Sequence, residues 1–467
     1  MIMDLLSDVE AAAGLVAEAG EVTLVSHIDA DGICSEAILS LALERRGIPV
    51  RPIFVRQLEP MTMGTIPKDR SFKVFTDLGS GQQNLLAEHG LSEEEVLILD
   101  HHVSQPAGKS YREVNALNYG HGKLAASGVA YLVARALDPK NTDLAKLAVI
   151  GNVGDMMART DLGLIGPSRE IAEDGVRHGS IEVVKKDLNC FGISTRPVHL
   201  CLAYNDDPFV PGITSNPNGA LQFLQRLGVT LKHPSGRWLV WEEIPIEEKR
   251  RVISGLAQQL LSHGRSPDRL LAEAYLFPGE NKRTPLRNAS EFATVLNACG
   301  RWAKPTVGSR ICRGDRGMAY REAERMLTHH RGMIRDLLQF ILEKGVTEIS
   351  HLQHIHVGDR FPDTIIGIGA GMALSRLNRR KPILIMAEMS DDPLITKVSM
   401  RTNEELVRGG TDLQQAIVDA TSEVGGSGGG HRIAAGAYIP RELEERFIHS
   451  VNRRLESQNA RSGKDHR

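Results

Sequence analysis

An α/β protein with a parallel N-terminal sheet is predicted by three observations. From about residue 5 to residue 190, short apolar runs alternate with helical segments. Several of these segments end in a carboxylate or an imidazole: His27-Ile28-Asp29-Ala30-Asp31-Gly32, Asp77, Asp100-His101-His102 and Gly151-Asn152-Val153-Gly154-Asp155. The alternation lapses between about 195 and 320 and returns from about 346 to 440, so a middle module and a smaller C-terminal α/β domain are expected. Short apolar strands interleaved with helices imply parallel pairing with both sheet faces covered. Ligands in such sheets bind beyond the carboxyl ends of the strands.

The elements follow in order. Residues 5–19 read as an amphipathic helix, 22–26 as a strand and 33–46 as a helix that ends at Gly47. Strands are expected at 50–55, 72–76 and 96–99, and helices at 122–137 and 144–150. Pro208 to Gly212 and Asn216-Pro217-Asn218-Gly219 are turn-forming. A helix begins near Pro245, where Glu247 and Glu248 suit the first turn because the helix dipole favours acids there. A long helix over 321–344 follows, then strands at 364–368, 383–388 and 397–401, with a helix at 372–378. The expected division is 1–195 catalytic, 196–320 inserted or bridging module, 321–345 connecting helix, 346–456 substrate-binding domain and 457–467 flexible tail.

Composition bounds the function. At 467 residues the chain exceeds one typical core, so two or three domains are expected. Aromatic residues make up only 4%, which argues against an extended base-stacking platform. Net charge is −2, so any nucleic-acid contact must rest on a local basic patch. The five cysteines are scattered and odd in number, which supports reduced thiols and a cytoplasmic location. No apolar run approaches the roughly 20 residues needed to cross a bilayer, so no membrane partner is expected.

Each motif alone has a bland reading. An Asp-x-Asp before Gly is usually a solvated turn, an Asp after a strand usually caps a helix, and a His-His pair is common on surfaces and in cores. Together they change the balance. Oxygen and nitrogen donors in this number suit hard or borderline divalent metals and exceed the needs of one ion. His27, Asp29 and Asp31 alternate as an extended strand end requires, and Gly32 permits a sharp turn into the next helix. Asp77, at the tip of another strand, is placed to bridge two ions. Near the C-terminus, Gly428-Gly429-Gly430 precedes His431. A glycine-rich turn lets backbone amides approach a phosphate, with Arg401 and His431 adding charge and donors; the bland alternative is a linker or helix-entry loop. Basic clusters at Arg376 to Lys381 and along 321–335 read as solvated faces or as tracks for a phosphate backbone, and Arg301 as internal to a cleft.

This set, in this order, resembles the DHH phosphoesterase superfamily, and the C-terminal Gly428 to Gly436 resembles its GGGH signature. Asp207 to Thr214 and Leu296 to Arg301 are similar to segments of archaeal RecJ-like nucleases. The resemblance implies that His27, Asp29 and Asp77 hold one metal, and that Asp31, Asp77, His101 and Asp155 hold a second. It further implies that His102 contacts the scissile phosphate or leaving oxygen and that Asp100 orients the histidines. Arg401, Gly429, Gly430 and His431 would bind substrate. Two Mn²⁺ ions are the implied cofactor, with Mg²⁺ as a substitute. The implied activity is a single-stranded DNA or RNA exonuclease of replication or repair, with the GINS replisome complex as partner. A small-substrate phosphodiesterase (oligoribonuclease or cyclic-dinucleotide hydrolase) and a non-catalytic replisome scaffold are the alternatives.

Overall fold

Five apolar runs become one parallel sheet in the computed structural model, which describes residues 2–105, 108, 110–389 and 392–462. The strands are β1 (Val22–His27), β2 (Val50–Val55), β3 (Phe72–Thr76), β4 (Val96–Asp100) and β5 (Arg112–Asn115), in the order β2-β1-β3-β4-β5. Side chains alternate across the sheet. Leu24, Val74, Leu97 and Leu99 therefore join the core shared with the helices Ile2–Glu18, Ala30–Arg45, Ala126–Leu137 and Ala145–Gly154. Val25, Phe75 and Ile98 face Leu58, Met63, Leu86 and Leu91 on the other side. Each such side chain contributes about 1.5–3 kcal/mol by leaving water, which is why these strands read as continuous apolar runs. Pairing of Ser26 with Thr76 and of Thr76 with Leu99 aligns three strand ends. Strand β5 escaped the sequence reading because its Arg-Glu-Val-Asn offers a single large apolar residue at a sheet edge.

The chain divides into two units, residues 1–327 and 328–467, with the boundary inside the helix Met318–Lys344. Within the first unit, β6 (Glu182–Leu188) and β7 (Leu271–Leu276) pair antiparallel and enclose a second core. That core gathers Leu188, Val198, Phe223, Val252 and Leu256 around the fully buried Trp241. The helix expected near Pro245 is Ile246–Ser262. The expected module over 196–320 is redrawn at its far end. Helices Ala289–Arg301 and Pro305–Cys312 place Phe292, Leu296, Cys299 and Ile311 in the first core, beside Ile33 and Ala37. Cys190 and Cys201, distant enough in sequence to look unrelated, meet with their Sγ atoms 2.8 Å apart; both are free thiols.

The second unit is a six-stranded mixed sheet: β8 (Thr347–Glu348), β9 (Gln353–His356), β10 (Ile383–Glu388), β11 (Ile395–Arg401), β12 (Ser427–His431) and β13 (Ala434–Pro440). Its order is β12-β13-β11-β10-β9-β8, with only β9 and β10 parallel. One face packs on the helices Leu413–Val424 and Glu444–Ser462, and the other on Ile366–Leu374 and the end of Met318–Lys344. Three expectations change here. Residues 364–368 enter a helix, because Ile366, Gly369, Ala370, Ala373 and Leu374 form a single buried face at helical spacing. The glycine run is an edge strand, neither a turn nor a linker. The expected flexible tail is helical to Ser462, anchored by Val451 and Leu455 in the core; residues 463–467 lie outside those described. Among the described residues, no helix is long and apolar enough to cross a membrane.

Candidate metal centre

Strand register delivers the donors. His27 closes β1, and its Nδ1 lies 3.1 Å from Asp77 Oδ2 and 3.3 Å from Asp29 Oδ1. Asp77 directly follows β3 and adopts φ +62°, a conformation that costs most residues energy but is more tolerable for Asp and Asn. Its other oxygen, Oδ1, is 3.2 Å from His101 Nε2. Asp77 thus touches imidazoles from two different strands. His101 Nε2 also lies 3.5 Å from Asp155 Oδ2 and 3.9 Å from Asp31 Oδ2.

Secondary structure fixes these side chains. Asp29 caps the helix Ala30–Arg45, accepting from the amides of Asp31 and Gly32 at 3.0 Å each. Asp31 is held at the start of another helix, accepting from the amides of Ala126 at 2.8 Å and Ser127 at 3.0 Å. That explains why the helix expected from residue 122 starts only at Ala126: its first amides serve Asp31, and Asn152 Oδ1 accepts from Ala125. Asp155 ends the helix Ala145–Gly154. Gly32 is needed for closeness and not for its turn, since a Cβ there would stand 2.3 Å from the His27 carbonyl.

Asp100 has a different role. Its Oδ1 accepts from the His101 amide at 2.8 Å, the His102 amide at 3.3 Å and His102 Nδ1 at 2.8 Å, while Oδ2 takes the Ser80 amide at 3.1 Å. Buried and so engaged, it fixes the His102 ring through Nδ1 and the His101 backbone through its amide. The His102 side chain remains 56% exposed, and its Nε2 has no partner among the described residues.

The electrostatics are unbalanced. Burial, reinforced by Asp29 and Asp31, drives the Asp77 carboxyl well above its ordinary range. Burial likewise raises Asp31, against the opposing pull of His101. Burial and the Asp31 charge push Asp155 up to about 7. Burial opposes charge on Asp29 too, yet His27 and the Gly32 amide hold this carboxyl low. On His27, burial is outweighed by Asp29 and Asp77, so its pKa rises. Four carboxylates share two central imidazoles, and that excess of negative charge is what a cation relieves. Two donor groups meet the distance requirement for an ion, His27 with Asp29 and Asp77, and Asp77 with Asp100, His101 and His102, each set within 4.8 Å. Among the described residues, Asp31 and Asp155 enter neither set, although their oxygens lie 3.9 and 3.5 Å from His101 Nε2.

Further residues support the cluster; Asn115 was not singled out from sequence, whereas Asn297 lay in a segment that was, and Arg301 was named there. Asn115, at the end of β5, donates to the His102 carbonyl at 2.7 Å. Asn297 Oδ1 accepts from the Ala30 amide at 2.9 Å, which ties the helix Ala289–Arg301 to the loop between Asp29 and Asp31. Arg301 on that helix is largely buried, which lowers its guanidinium pKa, with the Asp29 charge acting the other way. The signal for Asn297 and Arg301 lay in the Leu296 to Arg301 segment; Asn115, ending a strand with little apolar character, had none.

The C-terminal residues sit in the second unit and are described there alone. Arg401 ends β11 and pairs in register with Ala434, which pairs in turn with His431. The three therefore form one row across β11, β13 and β12. Arg401 is mostly buried, and burial lowers its pKa. Gly429 faces Gly436 and Gly430 faces Ala435 on the edge strand, whose outer backbone groups have no strand partner among the described residues.

Comparison with known proteins agrees with this geometry. The chain matches the DHH family N-terminal domain over residues 21–152, the DHH-CID domain over 190–271 and the DHHA1 domain over 351–457. An uncharacterized protein of Methanocaldococcus jannaschii is 26% identical over 446 residues, covering 93% of both chains. RecJ from Thermus thermophilus, solved in complex with Mn²⁺, shares the fold at 17% identity and a TM-score of 0.58. The match covers 96% of this chain and 55% of that one, so the chain spans about half the length of that relative. CDC45 from Entamoeba histolytica matches over 97% of this chain and 99% of its own, with a TM-score of 0.65 and 13% identity. Three domains in this order, joined to a five-stranded parallel sheet with an inserted module, make the chain a member of the DHH superfamily with RecJ-like architecture.

Proposed function

We propose that this chain is a divalent-metal-dependent phosphodiesterase that removes nucleotides from an end of single-stranded DNA or RNA. The observation that carries the reading is Asp77, buried between His27 at 3.1 Å and His101 at 3.2 Å and repelled by Asp29 and Asp31. A carboxylate so placed is suited to two cations at once. His27, Asp29 and Asp77, already within 4.8 Å of one another, would hold one ion. Asp77 and His101 would hold the other with Asp31 and Asp155, whose oxygens now stand 3.9 and 3.5 Å from His101 and would close on the ion. When bound, a Mn²⁺ pair (or Mg²⁺) would supply water activation at neutral pH and neutralise phosphate oxygens.

The chain's own groups do the rest. Asp100 fixes His102 Nδ1, so the Nε2 side of the ring is the one offered to a phosphate or leaving oxygen. His102 is pulled above its ordinary pKa chiefly by that hydrogen bond, which favours the protonated donor form. Arg401, His431 and the amides of Gly429 and Gly430 bind the phosphate backbone of the substrate. The reading belongs with the DHH family membership and needs no strongly basic surface.

End-labelled single-stranded DNA and RNA, digested with and without Mn²⁺, test it. Stepwise shortening only with metal is the expected result. Faster turnover of a dinucleotide than of a thirty-mer would favour the small-substrate phosphodiesterase, and no cleavage of any strand would favour the scaffold. The resemblance also proposes a GINS partner, which a pull-down with purified GINS tests.

A further inference from the structure

The first unit contains a cavity of about 400 Å³ beside the metal donors, within the size range of small-ligand sites. Gly154, which precedes Asp155, and Asn297, which holds the Ala30 amide between Asp29 and Asp31, both line it. The wall is part apolar, through Ile193, Leu162 and Ala293, and part amide. Its amides are fixed in orientation. Asn189 Nδ2 donates to the carbonyls of Asp207 at 3.2 Å and Arg269 at 2.9 Å. Asn205 Nδ2 donates to the carbonyls of Asn189 at 2.9 Å and Asp207 at 3.1 Å. Because the partners are backbone acceptors, the amide nitrogens must face them, which leaves both Oδ1 atoms uncommitted among the described residues. Arg269 grips Asp207 through two 2.7 Å bonds and braces this wall. Asn297 is the reverse case: its Oδ1 is taken by Ala30, and its Nδ2 has no acceptor among the described residues.

A part-apolar cavity lined by two oriented amides with uncommitted Oδ1 acceptors and by one amide with an uncommitted donor suits a nucleobase. Two acceptors in one wall suit an exocyclic amino group, which has two N–H bonds to give, whereas uracil and thymine offer one ring N–H. Asp206 lines the same cavity with an exposed carboxylate and disfavours a phosphate deep inside. Arg159, also lining it, has a guanidinium without an ion-pair partner among the described residues and can meet a phosphate from its exposed position. We propose that this cavity holds the nucleoside next to the scissile phosphate, and that Asn189 and Asn205 favour bases bearing an exocyclic amino group. The inference deepens the proposed phosphodiesterase reading by naming a base-binding subsite of the same centre.

Equilibrium binding of AMP, CMP, UMP and ribose 5-phosphate to the full chain in EDTA provides the test. AMP and CMP should bind about three- to tenfold more tightly than UMP, the worth of one hydrogen bond. Ribose 5-phosphate, which buries no base, should bind at least about tenfold more weakly than AMP. Thr294→Trp, which fills the cavity from its wall, should weaken AMP by about tenfold or more while the melting temperature stays near that of the unsubstituted chain. Equal affinities for all four probes would overturn the proposal without any variant, as would AMP binding that ignores Thr294→Trp in a folded protein. The phosphodiesterase reading fails separately. AMP bound as expected, with no Mn²⁺-dependent cleavage, would sink the activity and keep the nucleoside site, whereas cleavage with base-blind binding would do the opposite.

Discussion

The strand ends of the first sheet and the edge strand of the second are built on opposite plans. Around Asp77, buried carboxylates crowd against imidazoles, and each is held by helix amides or a neighbouring ring. Along β12, small residues expose backbone groups, with Arg401 and His431 at the ends of one row and Lys397 over the Tyr438 ring in another. The first plan stores electrostatic repulsion that a cation releases. The second has no such cluster of buried acids among the described residues, and on the proposed reading it grips a charged chain.

That contrast can be broken by substitution. Asp77→Asn should cut metal-dependent cleavage by about a thousandfold or more, because it removes the shared charge. Asn keeps the left-handed backbone, so the metal-free melting temperature should hold or rise; a sharp fall would mean that Asp77 is structural. Next comes Gly151→Ala. A Cβ there would stand 2.6 Å from Asp31 Oδ1 and 2.2 Å from Ser127 Oγ, so Asp31 must shift. Overpacking of this kind costs about 1–3 kcal/mol, and cleavage should drop as Mn²⁺ affinity drops. Unchanged affinity, measured by titration, would take Asp31 out of the ligand set.

Asp100→Asn sharpens the distinction between holding a metal and aiming a ring. Outer partners of this type are worth about ten- to a hundredfold, so kcat should fall by that amount. A fall in metal affinity with kcat intact would make Asp100 a ligand. Arg401→Ala addresses the other plan: KM should rise about tenfold with kcat within about twofold, as for a lost charge-assisted contact. A kcat defect at saturation would move Arg401 into the chemistry.

The smallest effect concerns pH. Asp155, at about 7 against an ordinary 3.8, keeps its proton in the folded state after the unfolded chain has lost it. The native state therefore binds more protons across that window, and the metal-free protein should lose stability as pH rises through it. Saturating Mn²⁺, replacing the proton, should abolish the slope and raise the melting temperature by about 5 °C or more. A metal-free melting temperature that climbs between pH 4 and 7 would contradict the buried-acid account.

The legibility of the two regions differs for the same reason. The cluster was readable because each donor sits at a strand or helix end, where a local apolar run announces both the element and its terminus. His27, Asp77 and Asp100 could be placed from β1, β3 and β4 alone. The glycine run misled, since Ser-Gly-Gly-Gly-His has no strand propensity and pairs only because β13 lies beside it. Residues 364–368 misled in the opposite sense: they are β-branched in part, yet the helix starts at Ile366, whose buried face with Gly369, Ala370, Ala373 and Leu374 covers the sheet.

By itself, then, the amino-acid order determined the parallel sheet, the donor types and their delivery to strand ends, because hydrophobic period and chain direction are local properties. Only tertiary structure decided that Asp77 lies between two imidazoles, that the amides of Ala126 and Ser127 hold Asp31, and that Asn297 reaches Ala30 from 267 residues away. Those contacts join segments that carry no mark of one another in sequence, and they exist only where packing brings the backbones together.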